Sequence, residues 1–212
     1  MPQDIKVIQT KLVEWGNKNY DHYPWRSAKN KFHALIAEIM LQRTNAEKVV
    51  PIYNIFILTY PKIKNISEKE EEKLINLLKP LGLQKRNKNI IKLIKKLSKV
   101  SIPKTKNGLT KLPGIGNYTA NAFLSLHLGV KASIIDVNGI RLWTRILGIK
   151  NAKLRIEKAD LFSLIDTFTP EKEFKEFNYA VLDFSRKICK KRPKCEICPI
   201  IKECSYVKQI IP

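Results

Sequence analysis

The chain has 212 residues, 44% of them hydrophobic and 28% charged, which suits one large domain or two small ones and excludes a disordered polyelectrolyte. Lysine and arginine number 40 against 19 acids, a net charge of +21 that argues for a polyanionic partner, nucleic acid first, although abundant Lys, Ile and Asn also fit a compositional bias. Apolar runs such as 52–60 are too short and too polar to span a bilayer, so no membrane association is expected.

Apolar residues recur at helical spacing along nearly the whole chain. Ile5, Ile8, Leu12 and Trp15 form a first amphipathic stripe, which Gly16 closes. A loop with Tyr23-Pro24-Trp25-Arg26 follows, then helices over about 32–43 and 47–59, the latter with Pro51 in its first turns. Ser67 and Glu70 have capping-box spacing for a helix through Leu78, which Pro80 and Gly82 end. Over 85–99, Ile90, Ile91, Ile94 and Leu97 share one side of a helix. Lys85, Lys88, Lys92, Lys95 and Lys99 lie on another, read first as a solvated face and second as one facing DNA. A short helix before Leu112, a longer one over 118–128, and helical pattern across 137–147, 154–168 and 171–188 complete the series. The run 132–137 is the strand-like stretch. With no β–α alternation, repeat or low-complexity linker, the expected fold is all-α with roughly ten short helices.

The stretch from Leu112-Pro113-Gly114-Ile115-Gly116 through Asn117-Tyr118-Thr119-Ala120-Asn121-Ala122 sits between two of these helices. Two glycines two residues apart permit a tight turn and close approach of another backbone. The amides that open the next helix suit a phosphate oxygen, a contact that positions DNA without reading its sequence. This segment resembles the helix-hairpin-helix motif of the endonuclease III superfamily of base-excision DNA glycosylases. Other segments resemble that superfamily in the same order: Tyr23-Pro24-Trp25-Arg26, Ala37-Glu38-Ile39-Met40-Leu41-Gln42-Arg43-Thr44, Ile135-Asp136-Val137-Asn138-Gly139-Ile140-Arg141, and Asp183-Phe184-Ser185-Arg186-Lys187-Ile188-Cys189. The resemblance covers nearly the whole chain. It implies a two-domain helix-hairpin-helix glycosylase fold, with a six-helix domain over 24–131 and a second helical domain from 1–23 and 132–212. The implied partner is double-stranded DNA containing a mismatched or damaged base, bound by a monomer. The hairpin positions Leu112, Gly114, Gly116 and Thr119 would lie on that DNA.

The four cysteines, Cys189, Cys195, Cys198 and Cys204, cluster at the C-terminal end as Cys-x5-Cys-x2-Cys-x5-Cys. In a reducing compartment such a cluster argues for metal over disulfides. Structural zinc sites usually bring two close pairs, and here Cys195 and Cys198 alone make one, so the spacing leans away from zinc. The resemblance implies a 4Fe–4S cluster, although the family's first loop is one residue longer. It also places Lys190 and Arg192 of that loop against the DNA backbone, with the cluster in a structural role. The start Met-Pro-Gln-Asp has no signal-peptide character, so the expected location is cytoplasmic, nucleoid-associated if the source is a prokaryote.

Asp136 on its own reads as a helix N-cap. The resemblance makes it the catalytic carboxylate, with Asn138 supporting it through hydrogen bonds. Breaking an N-glycosidic bond gives the sugar oxocarbenium character, which a nearby carboxylate stabilises. Bifunctional relatives carry a lysine at the position of Tyr118, and a phenol forms no Schiff base, so a monofunctional enzyme is expected. Glu38 matches an acidic residue that adenine-excising relatives use near the purine, and an acid in an apolar pocket can donate a proton. Gln42 and Arg43 lie where relatives fill the gap left by a flipped nucleotide.

Two substrates compete: thymine or uracil opposite guanine, and adenine opposite guanine or 8-oxoguanine. The adenine enzymes favour Asp-Gly-Asn and Gln-Gln where this chain has Asp136-Val137-Asn138 and Gln42-Arg43, and they typically carry a further C-terminal domain, whereas eight residues follow Cys204 here. These features point to thymine or uracil. A non-catalytic iron–sulfur DNA-binding protein is a third reading, opposed by the presence of both Asp136 and Glu38.

Overall fold

The computed structural model describes residues 5–63, 66, 68–149 and 158–210. Among these residues the fold is all-α: eleven α-helices joined by short 3₁₀ turns and loops, with no strand. The chain divides into two compact units, one of Met1–Asp21 with Gly129–Pro212, the other His22–Leu128. The divisions fall at 21/22 and 128/129, against 23/24 and 131/132 in the domains drawn from sequence.

The first unit opens with α1 (Ile5–Asn19). Gly16 does not close this helix as expected but lies inside it. A Cβ at Gly16 would come within 2.8 Å of the Ala180 Cβ, so the glycine is there for helix contact and not for chain reversal.

The second unit contains α2 (Lys31–Met40), α3 (Ala46–Thr59), α4 (Glu71–Leu78), α5 (Gln84–Leu97), α6 (Lys106–Thr110) and α7 (Asn117–Leu128). Asn30 starts α2 by accepting a hydrogen bond from the Phe32 N–H at 2.9 Å. From Ala34 to Met40 every residue of α2 is buried, as expected of a helix apolar on all sides. It ends at Met40, short of the expected 43, because residues 41–44 form a turn in which Arg43 takes a left-handed φ of 54°. A 3₁₀ turn over Lys79–Leu81 and Gly82 at φ 73° terminate α4 as the sequence implied. Ser67, the expected cap, lies outside the described residues. The lysine stripe of α5, with Lys99 just beyond the helix, is exposed throughout, and Lys95 pairs with Glu71 at 2.5 Å.

The first unit resumes with α8 (Val137–Leu147), α9 (Lys158–Thr167), α10 (Phe174–Lys187) and α11 (Ser205–Ile210). Residues 154–157 of one expected helix lie outside the described residues. The strand-like run 132–137 forms no strand. Without a neighbouring strand to complete a ladder, it instead buries Ile134, packs Ile135 on the core, and offers the Ala132 carbonyl to Asn178 Nδ2 at 2.9 Å. Trp143 is the centre of this unit's core, with Phe168 at 5.2 Å and Phe177 at 6.2 Å between ring centroids. Ile8, Leu12, Ala180 and Phe184 complete the same cluster, which fixes α8 and α10 beside the cysteine-bearing segment.

Candidate functional site

The hairpin is built from α6, a turn and α7. Thr105 starts α6, its hydroxyl accepting from the Gly108 N–H at 3.2 Å. Gly114 has φ 78°, and a Cβ there would meet the Asn89 Cβ at 2.8 Å, so both conformation and space demand glycine. Gly116 differs. It is exposed, with nothing within 4 Å of where a Cβ would stand, so no packing inside the protein requires it. Its bare backbone lies at the start of α7, where the first N–H groups lack intrahelical partners and the dipole is positive. Leu112 and Thr119, expected to touch DNA, are instead buried. Their side chains hold the hairpin from beneath. Tyr118 is exposed on the first turn of α7.

The turn after α2 is tied to this hairpin. Gln42 Nε2 donates to the Gly114 carbonyl at 2.9 Å and to the Thr119 hydroxyl at 3.0 Å, so its amide nitrogen ties the turn to the hairpin. Arg43 is exposed beside it. Beneath the turn lies Arg86, buried on α5. Its Nη1 donates to the carbonyls of Met40 (2.9 Å) and Gln42 (2.8 Å) and to the Thr44 hydroxyl (2.5 Å). Its Nη2 reaches the carbonyls of Leu81 (2.9 Å) and Gly82 (3.1 Å). Burial draws the Arg86 guanidinium below its ordinary pKa. These carbonyls compensate it, and in return it holds the 41–44 turn in shape. Left-handed backbone at a residue such as Arg43 persists only where surroundings enforce it.

Glu38, from α2, is 5% exposed, and His127, from the end of α7, is 6% exposed. The imidazole Nε2 lies 2.8 Å from Glu38 Oε1.

Asp136 is indeed an N-cap: Oδ1 accepts from the backbone N–H groups of Asn138 (3.0 Å) and Gly139 (2.7 Å) at the start of α8. Its Oδ2 accepts from Asn138 Nδ2 at 3.0 Å. Arg141, one turn on, donates from Nη1 to Asn138 Oδ1 at 2.9 Å, from Nη2 to the Ser185 carbonyl at 2.8 Å, and from Nε to the Cys189 carbonyl at 3.0 Å. A continuous hydrogen-bonded path thus runs from the Asp136 carboxylate to the first cysteine.

The four cysteines are free thiols around one concavity of about 340 Å³, solvent at its mouth included, together with Ile146, Phe184 and Arg145. Among the described residues no three His, Cys, Asp or Glu converge as a single-ion site. Burial pushes the Cys198 thiol up to about 11, with the other three thiols adding to it and a backbone hydrogen bond at Ile200 opposing. Cys204 and Cys195 are raised as well, again by burial first. Arg145 of α8 donates from Nη1 to the Lys190 carbonyl (2.5 Å) and the Cys189 sulfur (3.4 Å), and from Nη2 to the Lys191 carbonyl (3.0 Å). With their carbonyls drawn inward, Lys190 and Lys191 keep exposed side chains, as does Arg192.

Four residues the sequence reading passed over therefore hold candidate groups, each within its own unit: Arg86 and His127 in one, Arg141 and Arg145 in the other. Arg141 was within reach, because i,i+3 spacing from Asn138 puts the two on one helix face. Arg86 and His127 gave no local signal.

Comparison with known proteins follows the same lines. The model of the HhH-GPD superfamily, base excision DNA repair proteins, matches residues 36–164. The chain is 35% identical to a thymine-DNA glycosylase of Aeropyrum pernix, with 95% of each chain covered. It is 37% identical to an adenine DNA glycosylase of Buchnera aphidicola, covering 94% of this chain and 59% of that one. A solved structure of a thermostable thymine-DNA glycosylase superposes with a TM-score of 0.88 at 30% identity, over 98% of both chains.

Proposed function

The chain belongs to the HhH-GPD superfamily of base excision DNA repair proteins, and within it we propose a monofunctional DNA glycosylase that hydrolyses the N-glycosidic bond of thymine or uracil mispaired with guanine. The observation that carries this reading is the likeness, over 98% of both chains, to a structure named for thymine-DNA glycosylase activity. Asp136-Val137-Asn138, with an apolar middle residue, supports the same group. A second reading, adenine excision, is favoured by the 37% identity to the Buchnera enzyme.

In the proposed reaction the bond between sugar C1′ and base N1 breaks, the electron pair leaving with the base. Positive charge develops on the sugar, and the Asp136 carboxylate stabilises it. Both its oxygens are held, Oδ1 by two helix amides and Oδ2 by Asn138, so the charge is oriented before reaction begins. Water then adds to C1′ and gives its proton to Asp136. Glu38 is assigned to the base, Arg43 to the gap left by the extruded nucleotide, and the amides from Gly116 onward with Lys190 and Arg192 to phosphates. Mispaired bases cost less to extrude than paired ones, which favours mismatches.

The donor set fits a 4Fe–4S cluster. Four thiols surround a space with an apolar wall, and burial first, with neighbouring thiols adding to it, disfavours ionisation of Cys195, Cys198 and Cys204. A cationic metal core takes them as thiolates and removes that penalty. Cys189, Cys195, Cys198 and Cys204 would hold it, and the cluster, when bound, supplies a structural staple for the loop. Protein purified without oxidants is expected to be brown, with about four irons per chain. Stoichiometric zinc with no visible absorbance overturns the assignment.

Tyr118 supplies the test of reaction type. On a U·G duplex the wild type should leave strands that break after alkali and not before, and borohydride should trap no enzyme on DNA. Tyr118→Lys should gain trapping by placing an amine there. Efficient trapping of the wild type refutes the monofunctional reading, and intact strands after alkali refute glycosylase activity on this base.

A further inference from the structure

We propose that Glu38 and His127 act as one unit, in which the imidazole fixes Glu38 as a hydrogen-bond acceptor for a base edge that presents an N–H, as N3–H of thymine or uracil does. This rests on the assignment of Glu38 to the base. The two side chains come from α2 and the last turn of α7, 89 positions apart, and meet at 2.8 Å with neither more than 6% exposed. The Phe123 ring packs against the imidazole at 5.8 Å between centroids, and Lys31 Nζ donates to the His127 carbonyl at 2.5 Å, so the histidine is held from both ends.

The chemistry follows from where the shared proton lies. The arrangement the proposal requires is Nε2–H donating to a Glu38 carboxylate at Oε1. With Nε2–H donating to the carboxylate, Glu38 Oε2 carries no proton and keeps its lone pairs. Among the described residues Oε2 takes no hydrogen bond. An incoming N–H can supply Oε2 with a donor. Donation of a proton to a purine N7 would need a proton on Oε2, which a carboxylate held in this way lacks. Glu38 acts as an acceptor in this arrangement, and His127 is the positioning residue that holds it there.

The test is a double-mutant cycle by single-turnover excision, run on whichever mismatch the wild type cleaves, with unfolding midpoints and gel-shift affinities recorded for each variant. His127→Leu should slow excision about 10- to 100-fold with affinity held, because Glu38 loses its donor. His127→Gln keeps an N–H within reach and should recover to within about 5-fold of wild type. In the Glu38→Gln background, His127→Leu should add less than about 3-fold. Equal slowing in both backgrounds overturns the proposal, and so does a glutamine variant as slow as the leucine one. That second arm stands even if the leucine variant folds poorly. A Glu38→Gln enzyme at the wild-type rate overturns the assignment of Glu38 itself. A preference for A·G over T·G overturns the choice of pyrimidine, while the cycle still decides whether the pair works as a unit.

Discussion

Asp136→Asn is expected to excise a mispaired base about 10²–10³-fold more slowly than the wild type, the usual loss when one preorganised charge is removed from a reacting centre. The fold should survive, because asparagine caps a helix as well as aspartate does and its oxygen can keep the bonds to the Asn138 and Gly139 amides. One local conflict is created. Asn138 presents Nδ2 to residue 136, and its own oxygen is held by Arg141, so the variant sets two amide donors face to face. That costs on the order of 1 kcal/mol in stability, far below what would unfold a domain. Binding to the mismatch should persist or tighten, since an anion near phosphates is mildly repulsive. Excision and gel-shift affinity are measured on one duplex. Near-wild-type excision would reduce Asp136 to a cap. Loss of binding together with excision would show that the cap, not the charge, is what matters there.

Affinity for duplex DNA should fall about 250- to 1000-fold between 50 and 200 mM salt, a slope near −4 to −5 for about five phosphates neutralised. The net charge of +21 makes a steep dependence expected, but exposure decides which cations take part. Lys190 and Arg192 are exposed on a loop whose carbonyls are drawn inward by Arg145. The stripe on α5 is also exposed, with Lys95 already paired to Glu71. Replacing Lys190 and Arg192 together by alanine should reduce the slope by about 2, whereas replacing Lys88 and Lys92 should leave it nearly unchanged. Fluorescence anisotropy across a salt series reads both. A flat dependence would make the basic composition irrelevant to binding.

Where local chemistry decides structure, the sequence was sufficient. Helix α8 runs over the expected 137–147, because Asp136 caps one end and Gly148, at φ 69°, closes the other. Gly114 and the cysteine cluster were equally plain. The misreadings have a common cause. Gly16 looks like a helix stop until Ala180 is known to lie against it. The early end of α2 depends on Arg86, more than 40 positions away, holding the 41–44 turn. The hydrogen bond between Gln42 and Thr119 joins positions 77 residues apart and had no local signal either. The Glu38–His127 pair is a tertiary contact with no spacing rule to announce it. Sequence thus named the candidate groups, and the residues that contact them emerged only from packing.

The most direct test of the account identifies the base released. Wild-type enzyme is incubated under single-turnover conditions with duplexes carrying U·G, T·G, T·A, A·G or A opposite 8-oxoguanine, and free bases are quantified by chromatography beside alkali-labile sites. Free uracil and thymine are expected from U·G and T·G, one abasic site per base released, with T·A well behind because a paired base is costlier to extrude. Free adenine from A·G, with T·G left intact, would contradict it.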